Sequence, residues 1–197
     1  MASQRMTEQT EAGVAPPLES RIFTLSGLAQ VTNSLFLSNE TAANNHHLLN
    51  VHRITCVINV CLENDIEHHN SALEYLHYPI ADMPNSNLLK HFEAIYDKIR
   101  DVEVRGGRTL VHCNAGISRS PSICLAYLMK SNGMTLIAAH SLLRTRRPII
   151  HPNSGFWEQL IRYELDLFGN NSIQMINSPM GLIPNIYEKA ARNMFPL

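Results

Sequence analysis

The run Ile54-Thr55-Cys56-Val57-Ile58-Asn59-Val60 constrains the fold more than any other stretch. It is mostly β-branched and nearly all apolar, so it predicts a strand buried on both faces. Such strands belong to parallel sheets covered by helices. Arg108–His112 reads as a second short buried strand, and Leu35-Phe36-Leu37 and Leu73–Ile80 as two more. Between them, Leu88–Val104 places Leu88, Phe92, Ile95, Ile99 and Val102 on one helical face. Gly106-Gly107 ends that helix. Helices are also predicted over Thr41–Asn50, Ser120–Lys130 (with Pro121 in its first turn), Thr135–Thr145 and Ser154–Phe168. Strands that alternate with helices, followed by helices alone, predict an α/β fold with a central, mostly parallel sheet flanked by helices.

A chain of 197 residues with 45% apolar and 17% charged residues has globular composition and suits one domain. Residues 1–20 are polar and carry Pro16 and Pro17, which predicts a flexible arm. Residues 21–169 are expected to form the domain, and 170–197 an extension packed on it. Sixteen Lys and Arg stand against 17 Asp and Glu, a balance that argues against a nucleic-acid binder. Four cysteines are too few for a disulfide scaffold and point to a reducing compartment; a cytoplasmic location is expected, with nuclear or mitochondrial association left open by the sequence. The longest uncharged stretch, Leu167–Tyr187, is interrupted by Asn, Ser, Gly and two prolines, so no membrane span is expected.

The chemistry concentrates in Val111-His112-Cys113-Asn114-Ala115-Gly116-Ile117-Ser118-Arg119-Ser120. A short loop between a buried strand and a helix can curl until its N–H groups converge. The helix N-terminus adds partial positive charge, and together they make an anion nest. Gly116 permits the strained backbone of such a curl. Arg119 begins the helix and offers a planar fork suited to two phosphate oxygens. Cys113 lies at the floor, where the field that binds a dianion also favours a thiolate.

A thiolate attacking a phosphate monoester needs an acid for the leaving oxygen. Of five aspartates, Asp97 and Asp101 lie on a polar helix face and Asp166 on a late helix. Asp82 follows a strand, between Pro79 and Pro84, and Asp65 is the next choice. On position alone Asp82 reads equally well as a turn residue. Arg147, after a helix carrying Arg144 and Arg146, reads either as a receptor for a second phosphate or as a cation suited to a helix end. The adjacent pairs His46-His47 and His68-His69 point in different directions, so no metal-ligand spacing is present.

HCNAGISRS, together with YPIADMP, LAYLMK and RRPIIHPNSGFWEQLIRYE, resembles the cysteine-dependent protein tyrosine phosphatases. The likeness is to the small, atypical dual-specificity members and covers residues 27–168. The tail SPMGLIPNIYEK looks like those that consist of a catalytic domain alone. The resemblance implies hydrolysis of phosphotyrosine and phosphoserine or phosphothreonine in proteins, without metal or cofactor. It implies Cys113 as nucleophile, Arg119 and the loop residues Asn114, Ala115, Gly116, Ile117 and Ser118 as phosphate binders, and Asp82 as acid and then base. Ser120 would stabilise the leaving thiolate, and His112 and Asn153 would support the loop. The loop carries no Lys or His, unlike relatives that act on inositol phospholipids, and Ala138 stands where many relatives have an acid.

Cys61 ends the strand Ile54–Val60. If that strand neighbours Arg108–His112 in a parallel sheet, Cys61 lies near Cys113, as in lipid-phosphatase relatives with a cysteine at the corresponding place. It then either protects the nucleophile from peroxide or is simply a small apolar strand residue. Cys124, three turns along the helix, is expected to lie too far away.

Overall fold

The computed structural model describes residues 27–63, 73–179 and 181–194. The arm expected at 1–20, Asp65 and His68-His69 lie outside them. A five-stranded sheet is built from β1 (Ala29–Gln30), β2 (Leu35–Asn39), β3 (Cys56–Asn59), β4 (Glu74–His77) and β5 (Thr109–Cys113). The strand order is β1-β2-β5-β3-β4, and only the edge pair β1–β2 is antiparallel. β5 therefore sits in the middle, with Val111 level with Leu37 on one side and Ile58 on the other.

Alternation along these strands sorts the core onto two faces. Leu35, Leu37, Ile58, Val111 and Cys113 face the larger cluster. Helices α3 (Phe92–Val104), α4 (Arg119–Asn132), α5 (Leu136–Arg146) and α6 (Ser154–Phe168) supply its other wall. Phe36, Val57 and Leu110 face the smaller cluster, which Ala43 and Leu49 close. The apolar stripe read on α3 is buried as expected, except that its first turn, Leu89–His91, is a tighter 3₁₀ turn.

The helix expected over Thr41–Asn50 is two short helices, α1 (Glu40–Ala43) and α2 (His46–Val51). Asparagines explain the break. Asn39 Oδ1 accepts from the Ala42 amide and Asn45 Oδ1 from the Leu48 amide, so each starts its own helix. After α6 the chain forms a hairpin of β6 (Met175–Ser178) and β7 (Gly181–Pro184), a 3₁₀ turn Asn185–Tyr187 and α7 (Glu188–Met194). Buried Ile173 joins the main core, and Met175, Ile186 and Tyr187 pack against it. No helix among the described residues is long and apolar enough to cross a membrane.

Candidate active site

β5 ends at Cys113 and α4 starts at Arg119, so Asn114–Ser118 must turn within five residues. Gly116 makes this possible at φ +65°, and a Cβ there would lie 2.6 Å from the Ser38 carbonyl oxygen. Both the backbone angle and the close approach demand glycine.

Every carbonyl of the loop is held from outside. Asn114 O accepts from the Glu40 amide at 3.1 Å, and Ile117 O from the His151 amide at 2.7 Å. Arg147 donates Nη2 to Ala115 O at 3.0 Å and Nε to Gly116 O at 2.8 Å. Ser118 O takes both the amide and the hydroxyl of Ser122. With its carbonyls turned outward, a loop of this kind presents its N–H groups to the concave side, where an anion binds. Among the described residues, no protein acceptor takes the amides from Asn114 to Ser118.

Cys113 is buried, and Ser120 Oγ donates to its Sγ at 3.2 Å. Arg119 is also buried. Its Nη1 donates to Ile80 O at 3.0 Å and its Nη2 to Asn114 Oδ1 at 2.8 Å. Its Nε has no hydrogen-bond acceptor among the described residues and stands 3.6 Å from Asp82 Oδ2. The guanidinium thus joins the loop to the segment that carries Asp82. Asp82 Oδ1 accepts from Ser118 Oγ at 2.7 Å and from Asn153 Nδ2 at 2.8 Å. Asn153 also donates its amide to Ser118 Oγ at 3.1 Å and caps α6 through the Phe156 amide. His112 is buried in β5, paired with Ser38 and Asn59 on its two sides. The structure therefore gathers Cys113, Asp82, Arg119, Ser120 and Asn153 around one loop.

Arg147 differs from both sequence expectations. Only 4% of it is exposed, and its fork is used on two loop carbonyls, so it neither awaits a second phosphate nor answers a helix end. Burial lowers its pKa, and the charge of Cys113 opposes that shift. β3 and β5 are indeed parallel neighbours, with the Val60 amide donating to His112 O, so Cys61 closes β3 beside the strand that ends at Cys113. All four cysteines are buried thiols, and the Cys124 thiol is pushed far up, first by burial and then by the Cys113 charge.

Sequence reading missed the seat of the Asp82 segment. A Cβ on Gly155 would lie 1.8 Å from Pro84 O, so that segment rests directly on the start of α6. One turn on, Gln159 Oε1 accepts from the Leu88 and Leu89 amides at 2.7 and 2.8 Å, and its Nε2 donates to Ser86 O at 2.8 Å. A glycine in the first turn of a helix, followed by a polar residue within the stripe Phe156, Trp157, Leu160, was the available signal. Among the described residues, no group of three or more His, Cys, Asp or Glu is placed to hold a metal ion.

This fold and site define a cysteine-based phosphatase. Residues 35–166 match the model of the dual specificity phosphatase catalytic domain, and the chain belongs to that family of protein phosphatases. It is 50% identical over 188 residues to human dual specificity protein phosphatase 18, covering 95% of this chain and 100% of that one. Among solved structures, human DUSP28 aligns at a TM-score of 0.68 and 34% identity over 71% of this chain and 94% of that one. A mouse putative dual specificity phosphatase complexed with zinc tungstate aligns at 0.68 and 32% identity, over 83% and 96%.

Proposed function

We propose that Cys113 attacks the phosphorus of phosphotyrosine, phosphoserine and phosphothreonine side chains in proteins. The S–P bond forms as the ester O–P bond breaks, and Asp82 gives its proton to the departing oxygen. Asp82, now a carboxylate, takes a proton from water. That oxygen attacks phosphorus, the S–P bond breaks, and inorganic phosphate leaves. Ser120 Oγ stabilises the departing thiolate by its hydrogen bond. Arg119 and the loop amides carry the equatorial oxygens through both transition states.

One observation carries this reading: Cys113 sits at the floor of a loop whose carbonyls are all held outward, with Asp82 tied to the rim by Ser118 and Asn153. The absence of Lys and His from the loop supports protein substrates over inositol phospholipids, and the balanced charge supports them over RNA. Four buried cysteines fit work in a reducing compartment, the cytoplasm. The test is turnover of a panel of phosphotyrosine and phosphothreonine peptides, phosphoinositides and 5′-phosphorylated RNA. Peptides of both kinds turn over at least tenfold faster than the rest, roughly one RT-scaled decade of discrimination. Preference for lipid or RNA refutes the assignment.

A further inference from the structure

The chain continues beyond the matched catalytic domain, and one residue of that continuation reaches toward the phosphate loop. The base of the β6–β7 hairpin is tied by the Asn185 amide to Gln174 O at 2.9 Å, and the 3₁₀ turn that follows delivers Tyr187 inward. Three rings surround it. The His151 ring stacks on Tyr187 with centroids 4.7 Å apart and planes at 9°. The rings of Trp157 and His140 meet it edge-on, each at 5.8 Å. The Tyr187 hydroxyl lies 3.2 Å from His140 Nε2.

His151 is the residue that matters for chemistry. Its amide holds the Ile117 carbonyl at 2.7 Å, and the same short segment supplies Arg147 and Asn153 to the loop. His151 is exposed, and the stack with Tyr187 adds a side-chain hold to a backbone also tied by the Ile150 amide to Arg147 O at 3.3 Å and the Asn153 amide to Ser118 Oγ at 3.1 Å. We infer that Tyr187 is a positioning residue for the phosphate loop: stacked on His151, it holds the amide that turns the Ile117 carbonyl outward and thereby aims the neighbouring loop N–H at the bound oxyanion. Loss of the stack lets the 117–118 peptide rotate and costs affinity for phosphate-shaped anions. A purely structural anchor would behave otherwise. It would lower the melting temperature and leave anion affinity intact in the folded protein.

The inference rests on the loop being the phosphate site, and the experiment separates the two. Orthovanadate inhibition constants and KM for para-nitrophenyl phosphate are measured on the full chain, well below each variant's melting temperature. Tyr187→Ala weakens orthovanadate about tenfold, a fraction of the roughly 10²–10³ lost with an outright oxyanion donor. Tyr187→Phe, which keeps the stack, recovers most of that affinity. His151→Ala, at an exposed ring, shows the same loss, and the double variant loses no more than the worse single one. Orthovanadate affinity unchanged in folded Tyr187→Ala overturns the inference. If that variant does not fold, unchanged affinity in His151→Ala does so. Wild-type protein indifferent to orthovanadate overturns the site reading and this inference with it.

Discussion

The side-chain amide of Asn153 donates to Asp82 Oδ1 at 2.8 Å, across 71 residues of sequence. This contact, with that of Ser118 to the same oxygen, orients Asp82 from outside its own segment. The second oxygen accepts no hydrogen bond among the described residues and stands 3.6 Å from Arg119 Nε. Asp82→Asn keeps the acceptor but loses the proton. It lowers kcat by roughly 10²–10⁴-fold for alkyl and poor phenol leaving groups, the usual worth of general acid catalysis. The loss is far smaller for very acidic phenols, which leave without a proton. Equal losses for every leaving group would make Asp82 structural.

Gly155→Ala acts on the same function from beneath. A Cβ 1.8 Å from Pro84 O cannot be accommodated, so the Asp82 segment lifts. The variant folds, loses roughly tenfold or more in kcat for poor leaving groups, as misplacement by about 1 Å does, and changes little for acidic phenols. The same loss for both classes would place the damage elsewhere.

Arg147→Ala frees two loop carbonyls at once. Phosphate affinity falls roughly tenfold or more, by analogy with other outer-shell partners. Mono- and bis-phosphorylated peptides suffer alike. Arg147→Lys does not rescue, because one ammonium cannot replace the planar fork on two acceptors. A selective loss for bis-phosphorylated peptides would restore the second-phosphate reading.

The strands, the helices and the central motif were legible because each is a local pattern. β-branched runs, a helical stripe and a glycine between Cys113 and Arg119 declare themselves within a few residues. Asp82 needed more. As a chain position it is a turn residue, and only its contacts with Ser118 and Asn153 distinguish it. Arg147 was misread because its partners, Ala115 and Gly116, lie 32 and 31 residues away, and no spacing rule encodes them. Gln159 and Tyr187 were missed for the same reason: each acts through backbone or rings of distant segments. The break at Asn44-Asn45 was local and readable, since Asn competes for helix-starting amides.

His140 makes stability depend on pH. Burial, then Arg144 and His151, lower its pKa from 6.5 to about 4. The folded state therefore keeps it neutral where the unfolded chain binds a proton. Its contribution is full above pH 6.5 and is lost as pH falls toward about 4. The effect is about 1–3 kcal/mol across that window. Melting temperature accordingly drops over this interval, and His140→Gln flattens the drop. An equal drop in the variant would assign the acid sensitivity to other groups.

The central claim is covalent catalysis by Cys113, and an acid quench of the enzyme during turnover of para-nitrophenyl phosphate tests it most directly. Peptide mass spectrometry then finds phosphate on the peptide containing Cys113, and none on the same peptide from Cys113→Ser, which also does not turn over. Phosphate on another residue, or sustained turnover by Cys113→Ser, would contradict the account.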